Sequence, residues 1–153
     1  MGFGNFYAKT MYEYLINPAS GESVNRSLGG DITQNDFRGW AGGDPKLDPL
    51  GDVDFWQDTY ARNTGHTVQG YSQISGGKHI VPTLNDGGRV ALTIPGSGDV
   101  THSVVVKSVY QQTVTKISGS GTQTVMYRVM DPATGGFSSI PYSKIINIFT
   151  IKP

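Results

Sequence analysis

Apolar residues recur at helical spacing along the first part of the chain and fall in β-branched runs from Arg89 onward. Over 6–16, Phe6, Ala8, Met11, Tyr14 and Leu15 make one stripe, with Lys9 and Glu13 free to face water, so the pattern predicts a helix with Asn5 as its N-cap. Asn17-Pro18-Ala19-Ser20-Gly21 is expected to end it, and the polar stretch to Gly30 reads as a loop. A short helix is expected over 31–40, capped by Asp31 or Thr33. Ala41 to Leu50, with a glycine pair and two prolines, reads as a loop. A stronger helix is expected from Asp52 to Arg62, with its acids in the first turn and Arg62 in the last, and with Val53, Phe55, Trp56, Thr59 and Tyr60 inward. Thr67 to Tyr71 reads as a short extended piece. Residues 78–86 can hold one or two helical turns with Pro82 near their start, stopped by Gly87-Gly88.

The later runs predict strands at Val90 to Ile94, Ser103 to Gln111, Thr113 to Ile117, Gln123 to Met130, Gly136 to Ile140 and Ile145 to Ile151. Gly119-Ser120-Gly121 reads as a hairpin turn and Asp131 to Gly136 as another tight turn. Helices first and a mainly antiparallel sheet second is an α+β arrangement. A chain of 153 residues is expected to form a single domain with a core of its own.

Charge narrows the partners. Twelve basic residues balance twelve acidic ones, so there is no basic excess to neutralise phosphates, and neither nucleic acid nor an anionic membrane surface is expected. No apolar run approaches the ~20 residues of a membrane span. There is no cysteine, hence no disulfide and no thiolate metal site. No cofactor is expected, and His66 and His79 have no ligand-like spacing with His102, so no metal is expected either. The glycine pairs do not link a strand to a helix at dinucleotide spacing.

The chemistry concentrates at His102. It opens the run Ser103-Val104-Val105-Val106, which reads as a strand buried on both faces, and a second strand, Tyr127 to Met130, ends at Asp131. If the two strands pair, the carboxylate comes to the imidazole: a histidine with an orienting acid, two thirds of a nucleophilic triad. Two plainer readings stand beside this one. His102 can be a core histidine bonded to backbone, and Asp131 can simply cap the turn at Pro132. Ser103 points to the opposite face and cannot be the nucleophile for that histidine. Trp40 and Trp56 read as packing residues.

With helices ahead of a sheet, His-Ser-Val-Val-Val on one strand and Val-Met-Asp-Pro-x-x-Gly-Gly on another, the chain resembles the papain-like cysteine peptidases. Asn85 to Leu92 fits the strand that leads to the family's histidine. The resemblance runs over almost the whole chain in element order. It implies a papain-like fold of N-terminal helices packed on the sheet. It places the catalytic histidine on His102, the orienting acid on Asp131 and the nucleophilic cysteine on Phe6, in the helix start Gly4-Asn5-Phe6-Tyr7-Ala8. Another register sets Phe3-Gly4 on the Cys-Gly pair of bacteriocin-processing peptidases attached to transporters; the Tyr7-Ala8 that follows Phe6 favours the first.

In either register a phenyl ring stands where the family has sulfur, so this chain is expected to be inactive, an escape mutant or a natural pseudo-enzyme. The family also carries an oxyanion-hole glutamine about six residues ahead of the cysteine. Met1 lies too close to Phe6 to include it, and the domain is therefore expected to be the C-terminal part of a longer protein. The resemblance implies a protein substrate. Its occurrence at the ends of bacterial toxins and effectors implies an immunity protein as partner and delivery into a target cell. Two alternatives keep the same residues: a non-catalytic peptide- or protein-binding module, and a thiol-dependent acyl transferase or deamidase. Substrate specificity is expected in loops such as Ala41 to Leu50 and Gly70 to Gly77.

Overall fold

The computed structural model describes residues 17–40 and 51–153, apart from 97, 99, 116 and 120. The predicted helix over 6–16 and the loop over 41–50 lie outside the described residues.

The fold is α+β. Its first described helix, α1, covers 17–27, where a polar loop was expected. Its buried stripe has helical period but little hydrophobic content: Asn17, Ser20, Gly21, Val24 and Asn25 face inward. Gly21 admits a close approach, since a Cβ there would stand 2.6 Å from Cζ of Phe55. The last turn of α1 is held by Arg89, which donates to the Ser27 carbonyl and hydroxyl, both at 2.9 Å. Helix α2, Gln34–Trp40, begins at a reciprocal cap. Thr33 Oγ1 accepts from the Asp36 amide, and Asp36 Oδ2 accepts from the Thr33 amide. Of the two expected caps, Thr33 does the work.

A continuous helical rod follows, made of α3 (Gly51–Val53), a π-helical stretch (Asp54–Tyr60) and α4 (Ala61–Thr64). The Ala61 amide bonds the Trp56 carbonyl, an i→i+5 step. Phe55, Trp56 and Tyr60 are buried, as their pattern predicted. Gly65, at φ +75°, closes the rod.

Strand β1 (Thr67–Ser72) precedes helix α5 (Gln73–Asn85), so one strand comes ahead of the last long helix. Helix α5 is longer than predicted and starts at the Ser72 cap, which leaves Pro82 in its C-terminal half rather than near its start. Residues 70–77, expected as a loop, belong to β1 and α5. Gly87, at φ +85°, and Gly88, whose amide bonds the Thr83 carbonyl at 2.9 Å, end the helix as expected.

The remaining strands are β2 (Arg89–Pro95), β3 (Thr101–Thr115), β4 (Gly121–Met130), β5 (Phe137–Pro141) and β6 (Asn147–Lys152). They form one antiparallel sheet in the order β1-β6-β2-β3-β4-β5. The two strands expected over 103–117 are a single strand, β3, with a register shift between Val106 and Ser108. The bulge lies inside the first of the two expected strands, and pairing with β4 continues without a break through Gln111, Gln112 and Thr113.

Both faces of the sheet are covered. Val90, Leu92, Val104, Val106, Val129 and Ile148 pack with Ile80 of α5 on one face. Ala91, Val105, Phe149 and Ile151 pack on the other face with Val24, Phe37, Phe55, Trp56 and Tyr60 of the N-terminal helices. This explains why Ser103 to Val106 carry no polar alternation: all four are buried. Trp56 is fully buried, whereas Trp40 lies half exposed, edge-on to Phe37.

Candidate active site

His102 lies at the start of β3, paired with Ile94 of β2. Its side chain falls on the same face as Val104 and Val106, by strand alternation. Asp131 follows β4 directly and shares a face with Tyr127 and Val129. Val105 pairs with Met130, and continuing that ladder sets Asp131 diagonally across from His102 on one face, a spacing that long side chains bridge. The structure brings the two together: His102 Nε2 lies 2.9 Å from Asp131 Oδ2. At this distance the two groups form a charge pair whenever the imidazole is protonated. The imidazole is nearly buried and the carboxylate about a third exposed.

The turn-capping role of Asp131 is real as well. Its Oδ1 accepts from the Ala133 amide at 2.9 Å, and its carbonyl accepts from the Gly135 amide at 2.7 Å. One carboxylate oxygen thus fixes the turn and the other faces the histidine. The two roles weighed as alternatives in the sequence are compatible, because a carboxylate has an oxygen for each. On the other side of His102 the chain turns tightly, with the Gly96 amide on the Val100 carbonyl at 2.7 Å; a Cβ on Gly96 would stand 3.5 Å from Cβ of His102.

Phe6 lies outside the described residues. The helical turn that reaches this end of the sheet is the first described turn of α1. Ser20 Oγ donates to the carbonyl of Ser103, the neighbour of His102, at 3.4 Å, and Asn17 is buried beside Asp52. Ser103 itself turns to the helical face, as expected of the residue after His102, and its hydroxyl is buried without a partner.

Asp52 is the residue that sequence reading missed. As an acid in a first helical turn it read as a partner of the helix dipole, and it is buried. Its Oδ2 accepts from the Thr93 hydroxyl at 2.6 Å. Burial pushes its carboxyl above the usual carboxylate range, against the hydrogen bonds of Thr93 and Asn17 and the positive charge of His102. The only forward signal was position: Asp52 opens a helix that had to pack on the sheet.

Two grooves lie away from the dyad. One, of about 540 Å³, runs between α5 and the distal part of β4, lined by Gly77, Val125, Tyr127 and Tyr142 among others. The other, of about 220 Å³, lies between the π-helical stretch and strands β1 and β6, with Gln57 and Asn147 on its wall. Among the described residues, no group of three His, Cys, Asp or Glu could hold a metal ion, and no helix is long and apolar enough to cross a membrane.

No protein-family model matches the chain, and no curated protein matches it.

Proposed function

We propose that the chain is a papain-like scaffold for Cys–His–Asp chemistry on a protein substrate, keeping the histidine and the acid and lacking the thiol. The observation that supports this reading is the approach of His102 Nε2 to Asp131 Oδ2 at 2.9 Å, at the mouth of a strand otherwise filled with valine. A nearly buried imidazole held against a carboxylate is an arrangement for holding or passing a proton. With a cysteine at a helix N-terminus beside it, the helix dipole and the imidazolium would stabilise a thiolate. That thiolate would attack a peptide carbonyl, His102 would protonate the leaving amine, and Asp131 would hold the ring in orientation. Without any cysteine this chain performs no such turnover. The toxin setting, with an immunity protein as partner, belongs to the same reading and rests on the resemblance alone.

The absence of sulfur supports a second reading, a binding module that retains the cleft without its chemistry. Restoring a thiol separates the two. Phe6→Cys tests the position given by resemblance. Asn17→Cys tests the turn of α1 that packs at Ser103 and Asp52. At the correct position the thiol alkylates at least about tenfold faster than a free cysteine near neutral pH, and His102→Ala removes the excess. If both thiols react like a model thiol with rates independent of His102, the peptidase reading is refuted and the binding module stands.

A further inference from the structure

The sheet is not equally wide along its length. Strand β2 pairs with β3 only as far as Val105, and β5 pairs with β4 only from Met126 to Met130, with Pro141 opposite Met126. Beyond those points β3 and β4 pair with each other alone, out to Thr115 opposite Gly121. Residues 121–125 therefore have one strand neighbour, and their backbone groups on the other side are left open. Such edges are commonly blunted by charge or proline. Gly121-Thr122-Gln123-Thr124-Val125 has neither. A second wall faces this edge: the groove of about 540 Å³ has Gln123, Thr124 and Val125 on the β4 side, with Lys78 of α5 and Tyr142 across from them. Successive residues of a strand point to opposite faces, so a groove that touches three in a row runs along the strand's edge. The Tyr142 wall is fixed in advance. Its hydroxyl donates to the Gln73 carbonyl, and its own carbonyl accepts from Gln73 Nε2 at 2.9 Å. Charge here has one sign. Helix α5, β4, β5 and the 3-10 turn Tyr142–Lys144 contain no acidic residue, but they contain Lys78, Arg128 and Lys144. Lys78 is exposed and forms no ion pair among the described residues.

We propose that this groove is a docking site for an extended, acidic segment of a partner protein. The segment adds to β4 as a strand along 121–125, in the lane that β5 leaves at Pro141, and sets a carboxylate against Lys78. Main-chain hydrogen bonds to the open edge supply affinity, and alternate side chains entering the groove supply selectivity. At strand rise the open edge spans about 17 Å, so about five residues of partner fill it. Thr124 lies about 23 Å along the chain from Asp131 at the same rise, so the docked segment leaves the dyad uncovered. The proposal does not rest on the Cys–His–Asp reading, since a peptidase and a binding module can both hold a partner at this edge.

The test uses the cysteine-free protein as it is. The chain is titrated with the peptide acetyl-Thr-Val-Glu-Val-Thr-Val-amide while its backbone amides are followed by NMR. Shifts are expected at 121–125 and around Lys78. Lysine in place of the peptide's glutamate weakens binding about fivefold, and added salt narrows that difference. Two forms of the peptide carry N-methyl groups on one or the other alternate set of backbone nitrogens. The form methylated on the edge that meets β4 loses binding and the other keeps it, because a strand presents successive N–H groups to opposite sides. Lys78→Glu, at an exposed position, reverses the preference between the glutamate and lysine peptides. No shift at 121–125 with millimolar peptide, equal binding of the two methylated forms, or a glutamate preference unchanged in Lys78→Glu overturns the proposal. Shifts at 121–125 that grow with protein concentration alone also overturn it and assign the edge to a second copy of this chain. None of these readouts involves a thiol, so their failure leaves the peptidase reading untouched, and a sluggish restored thiol leaves the docking site standing.

Discussion

Helix α5 carries the pair Gly76-Gly77 in its interior, and an alanine at each position gives opposite results for reasons visible in the packing. In a helix, Gly→Ala stabilises by about 1 kcal/mol when space allows. At Gly76 it does not: a Cβ would stand 2.6 Å from Cβ of Tyr71 and 2.9 and 3.0 Å from Cδ1 and Cβ of Ile148. Two of those three atoms are Cβ atoms fixed to β1 and β6, so the strain is relieved only by lifting α5 off the sheet. Overpacking of this kind costs about 1–3 kcal/mol, and the rigid partners put it in the upper half of that range. The net result for Gly76→Ala is a loss of about 1–2 kcal/mol.

At Gly77 the nearest atoms, at 2.8 to 3.2 Å, all belong to the Tyr142 ring, a partly exposed side chain that can swing aside. Moving it gives up the hydrogen bond from the Tyr142 hydroxyl to the Gln73 carbonyl, worth about 1 kcal/mol, which offsets the helical gain. Gly77→Ala is therefore close to neutral. At about 2–4 °C per kcal/mol for a domain of this size, Gly76→Ala lowers the Tm by about 2–8 °C while Gly77→Ala leaves it within about 2 °C. Circular dichroism melts of the two variants side by side read the difference. A Gly76→Ala protein that melts at or above its Gly77→Ala counterpart would refute the seating of α5 on β1 and β6.

The cap of α2 and the buried acid each give a further outcome. Thr33→Ala removes one half of the reciprocal cap with Asp36 and costs about 1 kcal/mol in urea unfolding, whereas Thr33→Ser retains most of it; equal losses would show that the hydroxyl is not the cap. Because burial raises the Asp52 carboxyl above its ordinary 3.8, the folded chain holds a proton that the unfolded chain has released. This contribution makes stability fall as pH rises from about 4 through the raised value and then level off. Asp52→Asn keeps an acceptor for Thr93 and flattens that segment of a urea-midpoint curve taken from about pH 3 to about pH 8; a parallel fall in the variant would assign the slope to other groups.

Legibility in the sequence followed the source of burial. Strands β2 and β3 could be read because they are covered on both faces and their runs are apolar, and the Asp52 to Arg62 helix because its aromatics mark one side. Helix α1 could not: its inward stripe of Asn17, Ser20, Gly21 and Asn25 has the period of a helix without the hydrophobicity that reveals one. Gly76 hid the first half of α5 in the same way, since a glycine chosen for close packing looks like a breaker. The bulge at Lys107 left no mark in the sequence, since Ser103 to Gln111 read as one strand through it, and the break expected at Gln112 is an ordinary paired position of β3. In the site, His102 and Asp131 could be paired in advance because adjacent antiparallel strands brought two same-face residues together. Asp52 needed the third dimension: its partners Asn17, Thr93 and His102 come from three other elements.

The sheet order also has a consequence for assembly. Strands β2 to β5 pair with their sequence neighbours, so the hairpins that carry His102 and Asp131 close over short stretches of chain. Strand β6 enters between β1 and β2, with Thr67 opposite Lys152, and brings Ile148 to one core and Phe149 to the other. Long-range closures are the slow ones. The charge pair is thus built from the local, early part of the topology, while the two hydrophobic layers that shelter it are joined only when the last strand is in place.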